Sequence, residues 1–411
     1  MLFRSDADPS IAGNQLFANA SVSFGKFTGR AVLDWQVTRN NLIYLSYSRG
    51  YKSGGINPPL SPVAAVPTTF QPEFVNAYEI GSKNTFAGGK MTLNLTGFYY
   101  DYKGLQLSRI VSRTSVNDNV NAQIYGLEAE AVIRPIPEFT INMNASYLHS
   151  KVTSTTNPLA NPRDFGGGRA DAVIIKDITN GANCAVASKT GSVAGVNGYV
   201  GAINGAINAG IQDPAWNGNS TLATGGNPGH FKQYLVSPGA GLQQTTYNFG
   251  AGSGIASTGA FGICAILGAQ AATVGGFFGG IDYFAAGIPS NVVGNKLPGA
   301  PDYKFSAGMQ YAAPVGGDLT LTPRVDYIYT GKSQGSVFNS TVNQVPAFSQ
   351  INAQIQLDGA SKKWFMRAWV QNLTNNTAIT GLYVTDQSSG LYTNVFTLEP
   401  RRYGVTAGLK F

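Results

Sequence analysis

Apolar and polar residues alternate in one segment after another along this chain. In segment 41–51, Ile43 and Leu45 would lie on one face of an extended strand and Ser46 on the other, because successive strand side chains point to opposite faces. Each face then meets a different medium. The apolar face points into the core of a soluble sandwich, or out to lipid in a transmembrane barrel whose polar face lines the lumen. Alternation predicts the strands and leaves both architectures open.

The pattern recurs often enough to build one large sheet. Most of the segments reach the 9–11 residues that a tilted strand needs to cross a bilayer. We count about twelve strands by this periodicity, at residues 16–24, 27–37, 41–51, 73–86, 90–103, 121–134, 139–150, 300–312, 318–331, 346–358, 362–373 and 401–411.

Short and long connections alternate between these strands. The short turns are at residues 38–40, 87–88, 135–136, 313–317 and 359–361. The long loops are at residues 52–72, 110–119, 151–299, 332–345 and 374–400. All long loops therefore lie at one end of the sheet, as in bacterial outer-membrane barrels with their long extracellular loops. A soluble sandwich has no reason to sort its loops by length, so the sequence favours a transmembrane antiparallel β-barrel.

Composition supports a membrane protein. Of the 411 residues, 12% are charged and 11% aromatic, whereas soluble domains carry about 25% charged residues. No run of about 20 apolar residues is present, so any span must be made of strands. The sequence predicts no nucleic-acid partner, because the net charge of +7 is spread without a run of Lys and Arg.

The chain divides into four parts. Residues 1–26 are predicted as an N-terminal remnant or partial strand, because the connection at 24–26 is short where a long one is due. Residues 27–150 and 300–411 are predicted as barrel strands. Residues 151–299 hold 29 of the 51 glycines with weak periodicity, and predict a long Gly/Ala-rich extracellular loop rather than an inserted domain. Cys184 and Cys264 lie in it, either as a disulfide or as two free thiols.

Six segments, in order along the chain, resemble the C-terminal part of TonB-dependent outer-membrane receptors. They are LIYLSYSRGYKSGGIN, QPEFVNAYEIGSKNTFAGGKMTLNLTGFYYDYKGLQLS, NAQIYGLEAEA, LPGAPDYKFSAGMQY, MRAWVQNLTNN and EPRRYGVTAGLKF. The resemblance implies a place in a 22-stranded barrel of the Gram-negative outer membrane. It also implies import of a scarce small-molecule ligand such as a ferric siderophore, driven by a TonB-type energy-coupling complex that acts through a plug domain.

The chain departs from that family in two ways. The sequence predicts neither a plug nor a TonB-box region before the first strand, and its predicted strand count is about half of 22. We therefore interpret it as the C-terminal half of a receptor barrel or as a truncated product. A passive porin-like channel is an alternative function, and an outer-membrane hydrolase is a weaker one.

Several charged residues are candidates for functional positions. Arg or Lys facing lipid would cost about 2–4 kcal/mol at the bilayer midplane, so six charges on polar strand faces are predicted to line the lumen. These residues are Glu128, Glu130, Arg134, Arg324, Asp326 and Arg367. Where strand becomes loop, Arg49, Tyr51 and Lys52 combine cations with an aromatic ring and are predicted to contact an anionic ligand.

The C-terminal strand carries a different kind of signal. Tyr403 and the terminal Phe411 lie on its apolar side and resemble the signature that the outer-membrane assembly machinery reads. Neither His149 nor His230 is accompanied by a GxSxG, HExxH or CxxC pattern. The sequence therefore predicts no catalytic residue, no metal site and no cofactor.

Overall fold

The computed structural model describes residues 2–4, 17–19, 21–58, 67–111, 114–155, 159–177, 182–208, 234–237, 241–244, 263–359, 363–385 and 391–409. Strands dominate these residues, which also include the helices α1 (Val193–Asn208) and α2 (Ile263–Gln270). In chain order the strands are β1 (Leu2–Arg4), β2 (Phe17–Asn19), β3 (Gly29–Thr38), β4 (Asn41–Lys52), β5 (Gly55–Ile56), β6 (Thr69–Phe70), β7 (Glu73–Phe86), β8 (Met91–Val111), β9 (Thr114–Ile133), β10 (Phe139–Thr155), β11 (Val173–Asp177), β12 (Ala182–Ser188), β13 (Tyr234–Ser237), β14 (Gly241–Gln244), β15 (Ile281–Phe284), β16 (Tyr303–Tyr311), β17 (Ala313–Gly316), β18 (Leu319–Thr330), β19 (Ser333–Gln334), β20 (Gln344–Val345), β21 (Phe348–Asp358), β22 (Trp364–Gln371), β23 (Ile379–Val384), β24 (Thr393–Thr397) and β25 (Arg402–Leu409).

One antiparallel sheet of 12 strands dominates the structure. Eleven of them follow the order β25-β22-β21-β18-β16-β10-β9-β8-β7-β4-β3, and the short β17 pairs with β18. Strands that are neighbours in this sheet follow one another along the chain, apart from short strands within the loops. The predicted all-β, antiparallel architecture is confirmed.

The two faces of this sheet differ in polarity across its whole width. We call one the apolar face: register places Leu45 beside Leu33 and Ile80, so that large exposed apolar side chains meet across strands. The other, the polar face, brings Glu128 beside Ser146 and Thr96. Exposed apolar side chains belong in a low-dielectric medium rather than in water. No helix among the described residues is long and apolar enough to cross a membrane.

The prediction of a strand at 16–24 was wrong. Among the described residues of that segment, only Phe17–Asn19 is a strand, paired with Leu2–Arg4 outside the large sheet, and residues 21–28 form no strand. Residues 21–24 have no neighbouring strand to supply a ladder of hydrogen bonds, so alternation alone does not make them a strand.

The prediction of a loop at 110–119 was also wrong. β8 and β9 stay paired as far as Val111 and Thr114. With 21 and 20 residues they are about twice as long as a bilayer requires, so the hairpin extends far beyond its neighbours at the end of the sheet where the long loops lie.

A β-bulge turns the side chains of this extension over. The register shifts between Tyr102 and Leu105, and Gly104 adopts a positive φ of 66°. A Cβ on Gly104 would lie 2.6 Å from the carbonyl oxygen of Pro72, so only glycine fits. Beyond the bulge, odd-numbered residues of β8 change from the apolar face to the polar side. Leu105 there packs against a core that includes Val120.

The long segment 151–299 contains a folded unit among its described residues. β11, β12 and β15 form a three-stranded sheet, against which α1 and α2 pack. Ile175, Tyr199 and Leu267 are completely buried in its core. The Tyr199 hydroxyl donates a hydrogen bond to the Leu267 carbonyl, 2.6 Å away. The composition had favoured a long extracellular loop over an inserted domain, because this segment is rich in Gly, Ala and Ser.

Candidate functional site

The polar face carries a hydrogen-bonded arginine that joins three strands. From β18, the Arg324 guanidinium donates to Asp326 (Nε–Oδ2 2.9 Å), to Asn142 on β10 (3.2 Å) and to Gln310 on β16 (3.0 Å). Gly308 on β16 leaves room for this network, since a Cβ there would overlap the Arg324 and Asp326 side chains. The structure thus brings together two of the charges predicted to line the lumen.

The other predicted lumen charges are spread across the same face. Arg367 on β22 donates to Gln356 at 2.8 Å and stacks its guanidinium 5.4 Å from the Phe365 ring centroid. Glu128 and Glu130 are exposed on β9. Arg134 lies just past the end of β9, at the short turns, where its backbone N–H donates to the Lys90 carbonyl. The six residues therefore line one surface without forming one cluster.

The residues predicted to contact an anion lie on different faces of β4. Arg49 and Tyr51 continue the apolar face, because register along β4 runs without a shift from Asn41 to Lys52. Lys52 lies on the opposite side. Arg49 lies with its guanidinium carbon 5.1 Å from the Phe74 ring centroid, and Tyr51 packs on the same ring at 5.5 Å. The structure brings Arg49 and Tyr51 together and separates Lys52 from them.

Two cross-strand rows on the apolar face were missed in the sequence. We call one the aromatic row; register aligns its members across five strands, as Tyr47, Tyr78, Tyr99, Tyr125 and His149. The next row toward the loops is the polar row of Arg49, Asn76, Asp101, Gln123 and Lys151. Every second residue along β4, counted from Leu45, lies on the apolar face. Aligning the neighbouring strands with those residues would have revealed both rows.

A cavity of about 340 Å³ lies among the loops at the far end of the polar side. It is largely apolar, and Leu107, Val337 and Phe338 line it. Arg109 also lines it and forms an ion pair with Asp118, whose side chain is completely buried. Sequence reasoning could not find this cavity, because residues from five distant parts of the chain meet there.

The remaining predicted positions are scattered. Cys184 on β12 and Cys264 on α2 form a disulfide in the core of the inserted unit. The His149 ring lies tilted against the Tyr125 ring, with 5.1 Å between the ring centroids. Tyr403 is 81% exposed on β25. His230 and Phe411 lie outside the described residues.

One electrostatic feature stands out in the inserted unit. Asp171 accepts two hydrogen bonds from Arg169, at 2.9 and 2.6 Å, and one from the Ser188 N–H at 3.0 Å. The Arg169 hydrogen bonds, more than the Ser188 one, lower the pKa of the Asp171 carboxyl against the opposing effect of burial. Among the described residues, no group of three His, Cys, Asp or Glu side chains could hold a metal ion.

The chain is similar to known proteins along most of its length. The family model described as TonB dependent receptor-like, beta-barrel, matches residues 3–173 and 244–373. The structure is similar to the ferric yersiniabactin uptake receptor FyuA from Yersinia pestis, with a TM-score of 0.54 and 14% identity over 98% of this chain and 40% of that one. It is also similar to the ferric-catecholate import receptor Fiu from E. coli K12, with a TM-score of 0.51 and 11% identity over 100% of this chain and 40% of that one.

These likenesses agree with the architecture built up from the strands. The chain spans well under half the length of those two receptors, and at such identities the likeness concerns the fold alone. The family is one of receptors and transporters rather than of enzymes. The match to the family model covers well over half of the residues, so the chain belongs to the TonB-dependent receptor β-barrel family.

Proposed function

We propose that this chain forms the C-terminal part of the wall of an outer-membrane, TonB-dependent receptor that imports a scarce ligand, such as a ferric siderophore. The family supports this role, and so do the two similar structures, which are named as receptors for ferric ligands. The apolar face would meet lipid and the polar face would line the lumen. A plug supplied outside this chain would couple the barrel to the TonB-type complex.

The direction of the edge strands is the observation that carries this proposal. Among the described residues, β3 and β25 each pair on one side only. Both strands run from the end of the sheet with the long loops to the end with the short turns. This follows because, in a row of eleven antiparallel strands, the first and the last run in the same direction. An unpaired edge cannot face lipid, and these two edges cannot join each other in an antiparallel ladder.

Closure therefore requires an odd number of additional antiparallel strands. A second copy of the chain in the same membrane orientation would place parallel strands at each seam, so it does not satisfy this requirement. Additional strands from a longer protein that contains this chain would satisfy the requirement. The outer-membrane assembly machinery would then act on the C-terminal segment of the sequence, which carries Tyr403 and Phe411.

The polar face and the loop cavity supply the expected surface for a ligand. A ligand captured among the loops near Arg109 and Asp118 would pass along polar side chains held by the Arg324 network. Fixed hydrogen bonds would keep this wall in place during passage of the ligand.

Uptake measured in cells tests the proposal. Cells that lack the gene are complemented with the complete protein, and radioactive iron is supplied as ferric catecholates or ferric hydroxamates, one at a time. We expect uptake of at least one chelate to depend on both this protein and TonB. Uptake of none, with the protein present in the outer membrane, would contradict the proposal. Uptake that continues without TonB would favour the passive porin-like channel instead, and steady ion conductance in planar bilayers would support that reading.

A further inference from the structure

On the apolar face, the aromatic row is followed directly by the polar row in the direction of the long loops. Each member of the polar row lies two residues beyond the aromatic row, about 7 Å along the strand. Aromatic rows mark the membrane interface in barrels, and the headgroup layer beyond it is about 5–8 Å deep. The polar row therefore lies among lipid headgroups, on the side of the long loops.

Two cations share one aromatic ring at this level. Lys26 Nζ lies 5.7 Å from the Phe74 ring centroid, and the Arg49 guanidinium carbon lies 5.1 Å from it. We call Lys26, Arg49 and Phe74 the basic cluster. Asp101, the acid of the polar row, is paired with Lys103 at 3.1 Å. Among the described residues, neither Lys26 nor Arg49 has an acidic partner. The cluster thus has two positive charges without a counterion.

A groove of about 470 Å³ lies on the other side of the aromatic row from the basic cluster, and Tyr78, Tyr99 and Tyr125 of that row line it. Its walls include Leu45, Ile80 and Leu127, and Gly97 lies between the last two. Because Gly97 has no side chain, the surface is hollow there. Leu45 lies four residues from Arg49 on the same face, about 13 Å along β4. An acyl chain of ordinary length spans that distance.

We propose that the basic cluster and this groove form one binding site for a phosphate-bearing lipid of the outer leaflet. The phosphate accepts hydrogen bonds from Arg49 and Lys26, and an acyl chain lies in the groove beside Gly97. Charge complementarity favours an anionic headgroup, since a basic residue near an anionic membrane surface contributes about 1 kcal/mol. The apolar groove favours a lipid over free phosphate, because only a lipid has an acyl chain whose apolar surface can be buried there.

Native mass spectrometry of the complete protein, purified from outer membranes, tests this site. The probes are dioleoyl phosphatidic acid and, with the same chains, dioleoyl phosphatidylcholine. We expect phosphatidic acid to bind more tightly, and Arg49→Gln to weaken it about fivefold, which corresponds to about 1 kcal/mol. Lys26→Gln, in a segment without strand structure, should have a similar effect.

The control is Arg30→Gln, because Arg30 pairs with Ser48 and so lies at nearly the same height on the polar face. We expect it to change phosphatidic acid binding less than twofold. Gly97→Leu fills the groove and should weaken phosphatidic acid severalfold with the basic cluster intact. The proposal is overturned if Arg49→Gln, Lys26→Gln and Arg30→Gln act alike. It is also overturned if Gly97→Leu has no effect, since the groove would then contribute nothing and the site would bind only the anion.

Discussion

At the scale of the residue, the polar face is held by few but well-connected side chains. Arg324 contacts acceptors on its own strand and on two others, and its side chain is 21% exposed. A hydrogen bond to a charged group contributes about 1.5–3 kcal/mol when its partner would otherwise be left unpaired. Water in the lumen reduces that contribution here, since a partly exposed ion pair is screened.

We expect Arg324→Gln to lower the free energy of unfolding by about 1–2 kcal/mol, because Asp326 and Asn142 lose their shared donor. Arg134→Gln is the matched control; Arg134 is exposed at a turn and should change stability by less than about 0.5 kcal/mol. Urea-induced unfolding in detergent, followed by tryptophan fluorescence, measures both. Equal effects would show that the Arg324 network does not stabilise the wall.

Asp171 predicts a pH dependence in the inserted unit, outside the strands of the large sheet. Its folded-state pKa lies below that of an unfolded Asp, which is about 3.9, chiefly because Arg169 donates to it. The stabilisation is therefore complete above about pH 4 and is lost as the pH falls below that value. Hydrogen-exchange protection of residues 182–188 in the wild type, corrected for the effect of pH on the intrinsic exchange rate, should therefore decrease as the pH falls below about 4. Asp171→Asn should flatten that profile, and an unchanged profile would rule Asp171 out as its source.

At the scale of the element, the β8–β9 hairpin shows how one glycine can direct a long extension. Its bulge turns Leu105 and Leu107 to the side where the loops pack, and Val120 and Val337 complete that core. Without the shift, Leu105 and Leu107 would lie on the opposite side of the hairpin from this core. The bulge thus links a strand of the large sheet to a hairpin that supports the loops.

Gly104→Ala should destabilise this extension by about 1–3 kcal/mol, because it adds a clash with Pro72 to an unfavourable positive φ. Gly88→Ala is a sharp control: Gly88 has nearly the same φ, 65° against 66°, but a Cβ there meets nothing within 4 Å. Limited proteolysis should then cleave within residues 105–120 faster in the first variant alone. Cleavage within residues 105–120 that is no faster in Gly104→Ala than in the wild type would contradict this account.

The inserted unit is the element that depends most on a covalent link. The disulfide joins residues 80 apart in sequence and lies beside Ile175 and Leu267 in the core. Links of this kind contribute about 2–4 kcal/mol. We expect a Cys184→Ser, Cys264→Ser double variant to lose hydrogen-exchange protection in β11, β12 and α1 while β16–β22 keep theirs. Loss in both regions would show that the unit and the sheet unfold together.

At the scale of the whole molecule, the sequence predicted the sheet better than the loops. Period-two alternation and short turns are local signals, so strand order and the two faces could be read directly. The positions of Arg49 and Lys52 on opposite faces could also have been predicted, because Arg49 lies an even number of residues from Leu45 along the strand and Lys52 lies an odd number. The inserted core could not, because contacts such as Ile175 with Leu267 join distant residues that are sparse among glycines. The loop cavity likewise depends on contacts that no single segment encodes.

The central claim is that this chain forms a barrel wall whose apolar face meets lipid. Leu127 and Glu128 are neighbours on β9 and lie on opposite faces. Each is replaced by cysteine in the complete protein, labelled with the fluorophore bimane and reconstituted into bilayers of brominated lipid, which quenches only what it touches. We predict strong quenching at position 127 and little at 128. Equal quenching at both positions, or stronger quenching at 128, would contradict the account.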